Sequence, residues 1–195
     1  MGALGLPEDS FDAVLSGVPR DFLKLAHYPG NTDGAPERQG VGPHKDSDIL
    51  TLLWQDETGG LQVFLEGKGW IDAVPLKNSF IVNVGETLEL ATDGYLTADI
   101  HQVVMDARHT KSRYSIPYFI GPNLDLKEIP ILSLPKELKD QARGPATDPM
   151  NPLIRNPGIN TMKGRLRSHL GTTERFYPGH YKIIKEKGII ASSAY

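Results

Sequence analysis

The segment VGPHKDSD contains a histidine and an aspartate two positions apart, His44 and Asp46. In an extended strand successive side chains point to opposite faces, so residues two apart point the same way. An imidazole and a carboxylate on one face can bind a common metal ion, while Lys45 between them points away. The pair is a weak signal by itself and needs a further ligand from elsewhere in the chain.

The candidate for that ligand is His101, in the apolar run IHQVV. Two imidazoles and one carboxylate form the facial triad of non-haem Fe(II) sites, which leaves coordination positions open. The alternative is a neutral histidine packed in the core. The other histidines lie in an early strand, a polar turn and the C-terminal region: His27, His109, His169 and His180.

An arginine and a serine are also two positions apart, Arg113 and Ser115 in the apolar run RYSIPYFI. Both should point into the interior, where an arginine is almost never buried unpaired. A guanidinium binds a carboxylate through two parallel hydrogen bonds, and a nearby hydroxyl adds a third. The distal carboxylate of 2-oxoglutarate fits this pair while its 2-oxo acid end chelates a metal. The alternative is a surface arginine paired with Asp99 or Asp106.

The elements that must position these residues are predicted to be short strands. Twenty glycines and 15 prolines separate short apolar runs, which is typical of a β-sandwich or barrel. Alternating βαβ units are absent, so the fold class is mainly β. The predicted strands cover residues 21–28, 49–54, 61–65, 70–74, 79–84, 100–105 and 113–120.

The flanking regions are predicted to be of other types. Residues 7–15 should form a short helix that packs through Phe11 and Leu15, and residues 31–43 a polar loop. Residues 122–157 are polar and proline-rich, and residues 161–187 have helical character. We therefore expect an N-terminal lead-in at 1–20, a barrel at 21–125 and a C-terminal extension packed on it at 126–195.

The composition excludes several classes of protein. A net charge of −3 and a pI near 6.1 give no basic surface for nucleic acid or an anionic membrane. No apolar stretch is long enough to span a bilayer, and the N-terminus does not have the pattern of a signal peptide. Without cysteine, any metal must be held by His, Asp or Glu. A cytoplasmic location is the default expectation.

Between about residues 23 and 125 the chain resembles the isopenicillin N synthase-like family of Fe(II)/2-oxoglutarate oxygenases. The motifs occur in the family's order: a tyrosine before proline in LKLAHYPG, H-x-D, the GGLQV hairpin, the W-x-x-x-V-P strand, N-x-G-x-x-L-E, the second histidine, and R-x-S. The resemblance implies a double-stranded β-helix, a flattened barrel with iron near one mouth. LGLPEDSFD resembles the end of a longer N-terminal region in the family, so we expect the chain to be a fragment or a short relative.

By position, the resemblance assigns iron to His44, Asp46 and His101. It assigns the distal carboxylate of 2-oxoglutarate to Arg113 and Ser115.

The resemblance also suggests further pocket residues, each with a plain structural alternative. Tyr28 is an additional donor to 2-oxoglutarate or a packed strand tyrosine. Asn83 faces the pocket near the metal or supports a turn. In the C-terminal motif KGRLRSHLG, Arg165 and Arg167 reach for an acidic substrate, or are solvated or paired with carboxylates of the same C-terminal region.

The implied activity is oxidation of a small organic molecule, by hydroxylation or desaturation, with release of succinate and CO2. Dioxygen is the oxidant, ascorbate should help, and secondary metabolism is the expected setting. The residues themselves leave two alternatives open. A His/Asp/His zinc hydrolase would give Arg113 and Ser115 no role, and a truncated barrel would act as a binding module without catalysis. Substrate and oligomeric state are not predicted.

Overall fold

The computed structural model describes residues 1–32, 38–146 and 152–186, and its regular structure is dominated by short antiparallel strands. The strands are β1 Phe22–Leu23, β2 Ala26–Tyr28, β3 Arg38–His44, β4 Leu50–Gln55, β5 Leu61–Leu65, β6 Gly69–Asp72, β7 Ile81–Val84, β8 His101–Met105 and β9 Arg113–Ile120. The helices are α1 Asp12–Leu15, α2 Glu86–Ala91, α3 Lys136–Lys139, α4 Pro157–Ser168, α5 Leu170–Phe176 and α6 Pro178–Glu186. Two short 3-10 helices, Gly2–Leu4 and Glu8–Phe11, precede α1.

The strands form two sheets. One has the order β1-β9-β4-β7, with β2 also paired to β9, and the other has the order β3-β8-β5-β6. The sheets pack through a cluster in which Leu53 of the first meets Leu61 and Val103 of the second. The predicted mainly β class is confirmed. The described strands do not close into a barrel. Residues of both sheets line one cavity between them.

Strand alternation explains which residues reach the interior. Along β4, Thr51 and Leu53 are buried, and Trp54 is exposed on the opposite face. Along β9, Arg113 and Ser115 are buried while Tyr114 between them is 51% exposed. The prediction that Arg113 and Ser115 point inward is therefore correct.

A second core lies at one end of the sheets and involves α2, a helix that the sequence did not predict. Leu88 and Leu90 of α2 pack with Ile49 and with two residues of the C-terminal region, Ile129 and Leu132. The backbone N–H of Leu132 donates to the carbonyl of Ala91, which ties that region to the end of α2.

Several predicted boundaries are corrected. The N-terminal helix is a 3-10 turn followed by α1, and its buried residues are Phe11 and Val14, because Leu15 is 40% exposed. The predicted loop 31–43 is wrong from residue 38 onward, where β3 pairs with β8, and residues 33–37 lie outside the described residues. The predicted strand 21–28 is interrupted and forms β1 and β2. The helical tail begins at Pro157, earlier than expected.

Candidate metal and co-substrate site

Two histidines face each other where β3 ends and β8 begins. His44 and His101 are cross-strand partners, and their ring centroids are 4.3 Å apart. The Nδ1 atom of His44 lies 2.8 Å from the carbonyl of Gly42, and Nδ1 of His101 lies 3.2 Å from that of Asp99. Because a carbonyl can only accept, the proton of each neutral ring belongs on Nδ1, and Nε2 is then the nitrogen whose lone pair can bind a metal.

Asp46 completes a three-residue group. Its Oδ1 atom is 3.7 Å from Nε2 of His44 and 3.7 Å from Nε2 of His101. The potential donor atoms of all three residues lie within 4.8 Å of one another. Among the described residues, no other group of histidine and acidic side chains is arranged in this way. The spacing suits a single ion at the centre of the group.

The surroundings of His44 favour the neutral form of its imidazole over the protonated form. Burial lowers the pKa of His44, and the neighbouring His101 lowers it further, while the Gly42 carbonyl and Asp46 partly offset this. A metal ligand must offer a neutral imidazole, so the fold presents His44 in the form that binds metal.

Asp46 does not lie on a strand, so the simple alternation argument was incomplete. The residue lies two positions beyond the end of β3, and its other oxygen, Oδ2, accepts hydrogen bonds from Thr51 Oγ1 at 2.7 Å and Asn83 Nδ2 at 3.3 Å. The sequence analysis did not identify Thr51 as a hydrogen-bond partner of Asp46. The available signal was a hydroxyl on the buried face of an otherwise apolar strand.

The segment that carries these ligands is held by an ion pair. Lys45 Nζ lies 3.2 Å from a carboxylate oxygen of Glu89, which is completely buried. The same carboxylate accepts backbone N–H bonds from Ala98 and Ala146. Lys45 lines the same cavity as the three potential ligands, but its ammonium pairs with Glu89, and this ion pair ties the ligand-bearing segment to α2.

Arg113 is fully buried and makes hydrogen bonds to neutral acceptors. Its Nε donates to the Gly59 carbonyl at 2.6 Å, Nη2 to Gln55 Oε1 at 2.9 Å, and Nη1 to Ser115 Oγ at 3.1 Å. The alternative of a surface arginine paired with Asp99 or Asp106 is therefore wrong.

Burial lowers the pKa of Arg113, and the nearby Tyr28 hydroxyl and Asp56 partly offset this effect. Sequence reasoning did not identify Gln55 or Gly59 as partners of the guanidinium. The glycine pair in DETGG offered a signal, since Gly59 has φ +88°, a left-handed conformation that favours glycine.

Tyr28 lies beside this arginine. The two residues are cross-strand partners on β2 and β9, and the guanidinium carbon is 5.0 Å from the centre of the tyrosine ring. Gly40 on β3 makes room for the ring, because a Cβ there would be 2.6 Å from Cδ1 of Tyr28. The predicted co-substrate residues are thus brought together.

One cavity of about 910 Å³ is lined by both groups, the three potential ligands and the Arg113–Ser115–Tyr28 cluster. Helix α4 borders the same cavity through Arg165 and Arg167. Asn83 also lines it, but its amide hydrogen bond is to Asp46. Of the histidines not expected to bind metal, His27 stacks on Tyr114 with ring centroids 4.7 Å apart, and His109 contacts Asp106 in a hairpin.

Two further carboxylates border the cavity. Burial raises the pKa of Asp48 to about 6, although its 2.6 Å ion pair with Arg20 opposes this shift. Burial also raises the pKa of Glu86 to about 7, with Lys163 and Lys45 opposing. The charge of the cavity therefore changes with pH between about 6 and about 7, as Asp48 and Glu86 lose their protons.

The fold and the site together define a β protein in which a three-residue group that could hold a metal ion and a buried arginine line one cavity. The family model of the 2OG-Fe(II) oxygenase superfamily matches residues 19–122, more than half of the chain. The chain therefore belongs to the 2OG-Fe(II) oxygenase superfamily.

Relatives with assigned names agree with this membership. The chain is 36% identical over 141 residues to gibberellin 3-beta-dioxygenase 2 of Arabidopsis thaliana, covering 69% of this chain and 39% of that protein. It is 32% identical over 191 residues to the 2-oxoglutarate-dependent dioxygenase frbJ of a Dothideomycetidae species, covering 90% of this chain and 52% of the relative. The chain thus spans about half the length of these relatives, or less.

Solved structures show the same fold. A full-length Neurospora crassa protein, solved in complex with alpha-KG, matches with a TM-score of 0.64 and 28% identity, covering 82% of this chain and 48% of that one. A putative 2OG-Fe(II) oxygenase family protein from Caulobacter crescentus matches with a TM-score of 0.64 and 28% identity, covering 85% and 51%. The predicted double-stranded β-helix is confirmed at this level. Within the described residues, the helices are too short or too polar to cross a membrane.

Proposed function

We propose that this protein uses Fe(II) and 2-oxoglutarate to oxidise a small organic molecule with dioxygen, by hydroxylation or desaturation, releasing succinate and CO2. One observation carries the proposal: a single cavity contains both a two-histidine, one-carboxylate group and a buried arginine–serine pair. Superfamily membership supports the same activity.

His44, Asp46 and His101 would hold the iron. Their donor set fits Fe(II), since two neutral imidazoles and one carboxylate are the ligands of the facial triad. When bound, the iron supplies the redox chemistry that activates dioxygen, and the protein supplies binding and orientation. The three residues contribute by bringing Nε2, Oδ1 and Nε2 close together, and all three line the cavity in which 2-oxoglutarate and substrate would bind.

Arg113 and Ser115 would bind the distal carboxylate of 2-oxoglutarate, with Tyr28 as a further hydrogen-bond donor. A buried guanidinium whose hydrogen bonds go to the neutral Gly59, Gln55 and Ser115 favours an anionic ligand, because a buried charge is costly unless an opposite charge pairs with it directly. The geometry supports two-point binding of the co-substrate, with one end at the metal and the other at this cluster.

We also propose that the substrate enters beside α4, with Arg165 and Arg167 bordering its position. Both arginines line the cavity on the helix that forms part of its wall. We keep the prediction of a 21–125 catalytic unit carrying a C-terminal extension, and that of a cytoplasmic location.

The proposal is tested with the full chain loaded anaerobically with Fe(II). Titration with 2-oxoglutarate by calorimetry should show metal-dependent binding, and addition of oxygen with ascorbate and a panel of small molecules should produce succinate. A His101→Ala variant is the matched control and should lose both metal and metal-dependent 2-oxoglutarate binding.

The rival functions predict different results. A zinc hydrolase would bind Zn(II) but would show no metal-dependent affinity for 2-oxoglutarate. A truncated binding module would bind neither metal nor 2-oxoglutarate, and that double negative result would refute the proposed function.

A further inference from the structure

Asp46 is held through one oxygen by two residues that the metal site does not otherwise use. Thr51 and Asn83 are cross-strand partners on β4 and β7. The Thr51 hydroxyl and the Asn83 amide both donate to Oδ2 of Asp46, at 2.7 Å and 3.3 Å. Thr51 is 1% exposed, so its hydroxyl cannot exchange this bond for one to bulk water.

This arrangement distinguishes the two oxygens of the carboxylate. Oδ2 accepts two hydrogen bonds from side chains on neighbouring strands, whereas Oδ1 faces Nε2 of both His44 and His101 at 3.7 Å. A carboxylate can bind a metal through one oxygen or through both. Donors that occupy Oδ2 oppose the two-oxygen mode and favour binding through Oδ1.

We propose that Thr51 and Asn83 are positioning residues, which clamp Oδ2 of Asp46 so that only Oδ1 binds the metal and a coordination position stays open for 2-oxoglutarate or dioxygen. The inference rests on the proposed metal site. Asp46 requires such a clamp because it lies beyond the last residue of β3 and no strand pairing fixes its side chain. Thr51, in contrast, lies on a strand paired on both sides, by β7 and β9.

If the hydrogen bonds from Thr51 and Asn83 orient Asp46, their loss should weaken the binding of both the metal and the co-substrate. Loss of a hydrogen bond that orients a metal ligand typically costs about 10- to 100-fold in metal affinity. A freed Oδ2 can also turn towards the metal and occupy a position that the 2-oxo acid needs. The affinity of the metal-loaded protein for 2-oxoglutarate should therefore fall as well, although the side-chain hydrogen bonds of Thr51 and Asn83 go to Asp46 and not to Arg113.

The test uses Co(II) as the probe, with the full chain and the variants Thr51→Val, Thr51→Ser and Asn83→Leu. We expect Thr51→Val to weaken Co(II) binding about tenfold or more. Its Co(II) absorption spectrum should change in band position and intensity, which reports altered coordination. Thr51→Ser retains the hydroxyl and should restore both properties. Asn83→Leu should have a smaller effect in the same direction, because its bond is longer.

Thr92→Val is the matched control. Thr92 is also fully buried, but its hydroxyl donates to the Leu88 carbonyl in α2 and not to Asp46. This variant should lose thermal stability, because it loses a buried hydrogen bond, while keeping the wild-type Co(II) affinity and spectrum. If Thr51→Val and Asn83→Leu bind Co(II) as the wild type does, with the same spectrum, the positioning role is wrong and the metal site stands. If the wild type itself binds no Co(II), both the metal site and this inference fail.

Discussion

Replacing Arg113 by methionine tests the co-substrate site most directly. The guanidinium is fully buried and lies on the same cavity as the three potential metal ligands. Methionine has a similar length but no charge and no donors, so the distal carboxylate of 2-oxoglutarate would lose its cationic partner and keep only the hydroxyls of Ser115 and Tyr28. Truncating one member of a buried, hydrogen-bonded charge pair costs about 2–5 kcal/mol. At about 1.4 kcal/mol for each factor of ten, the dissociation constant of 2-oxoglutarate should rise roughly 30- to 4,000-fold.

The assay compares two ligands by calorimetry on Mn(II)-loaded protein, without oxygen. 2-Oxopentanoate has the same 2-oxo acid end as 2-oxoglutarate but a methyl group in place of the distal carboxylate. For the wild type, 2-oxoglutarate should bind far more tightly than 2-oxopentanoate. For Arg113→Met, that preference should disappear, because the substitution removes a contact that only 2-oxoglutarate makes. The affinity for 2-oxopentanoate should stay close to that of the wild type.

Two controls separate binding from folding. Thermal unfolding without ligand shows whether Arg113→Met is folded under the conditions of the titration. Arg113→Lys keeps a positive charge but has no planar fork, so it should retain only part of the preference. The reasoning would be refuted if Arg113→Met weakened both ligands by the same factor, or if it left 2-oxoglutarate affinity unchanged.

Three further predictions concern the surroundings of the site. Gly40→Ala should push the Tyr28 ring away from Arg113 and weaken 2-oxoglutarate binding several-fold in calorimetry, whereas Gly171→Ala, at a position with open space around it, should not. The pKa of Glu86 is raised from 4.5 to about 7, so the folded metal-free protein binds more protons than the unfolded chain between these values, and its stability falls as pH rises through them. Glu86→Gln should remove that pH dependence and raise the free energy of unfolding at pH 8 by up to about 3 kcal/mol in urea titrations, with little change at pH 4; a variant that follows the wild-type pH curve would contradict this. Mn(II) at 100 times its dissociation constant should stabilise the wild type by about 2.7 kcal/mol in thermal unfolding and leave His101→Ala unaffected, and an equal shift in both would exclude His101 as a ligand.

The sequence determined much of the strand pattern. The apolar runs that contain residues 49–54, 61–65 and 113–120 form β4, β5 and β9 within a residue of the predicted bounds. These strands are central or half-buried, so alternation of apolar residues carries a strong signal. The same alternation placed Arg113 and Ser115 in the interior, because their strand buries one face.

The predicted strand boundaries were wrong where the local sequence pattern and the observed strand pairing disagree. β3 has the polar sequence RQGVGPH with two glycines and a proline, which reads as a loop, yet pairing with β8 makes it a strand. Its register shifts twice along that pairing, which accommodates the irregular sequence. α2 was missed because its six residues are too few to show a helical period.

By itself, the sequence determined the types of chemical group and their order: imidazole, carboxylate, imidazole, guanidinium and hydroxyl. Tertiary structure alone decided how those groups are oriented. Asp46 lies off the strand that carries His44, and its orientation comes from donors on β4 and β7. Arg113 is held by Gly59 and Gln55, more than 50 residues earlier in the chain. Hydrogen bonds between distant residues depend on the packing of whole sheets, and neither spacing nor local propensity encodes that packing.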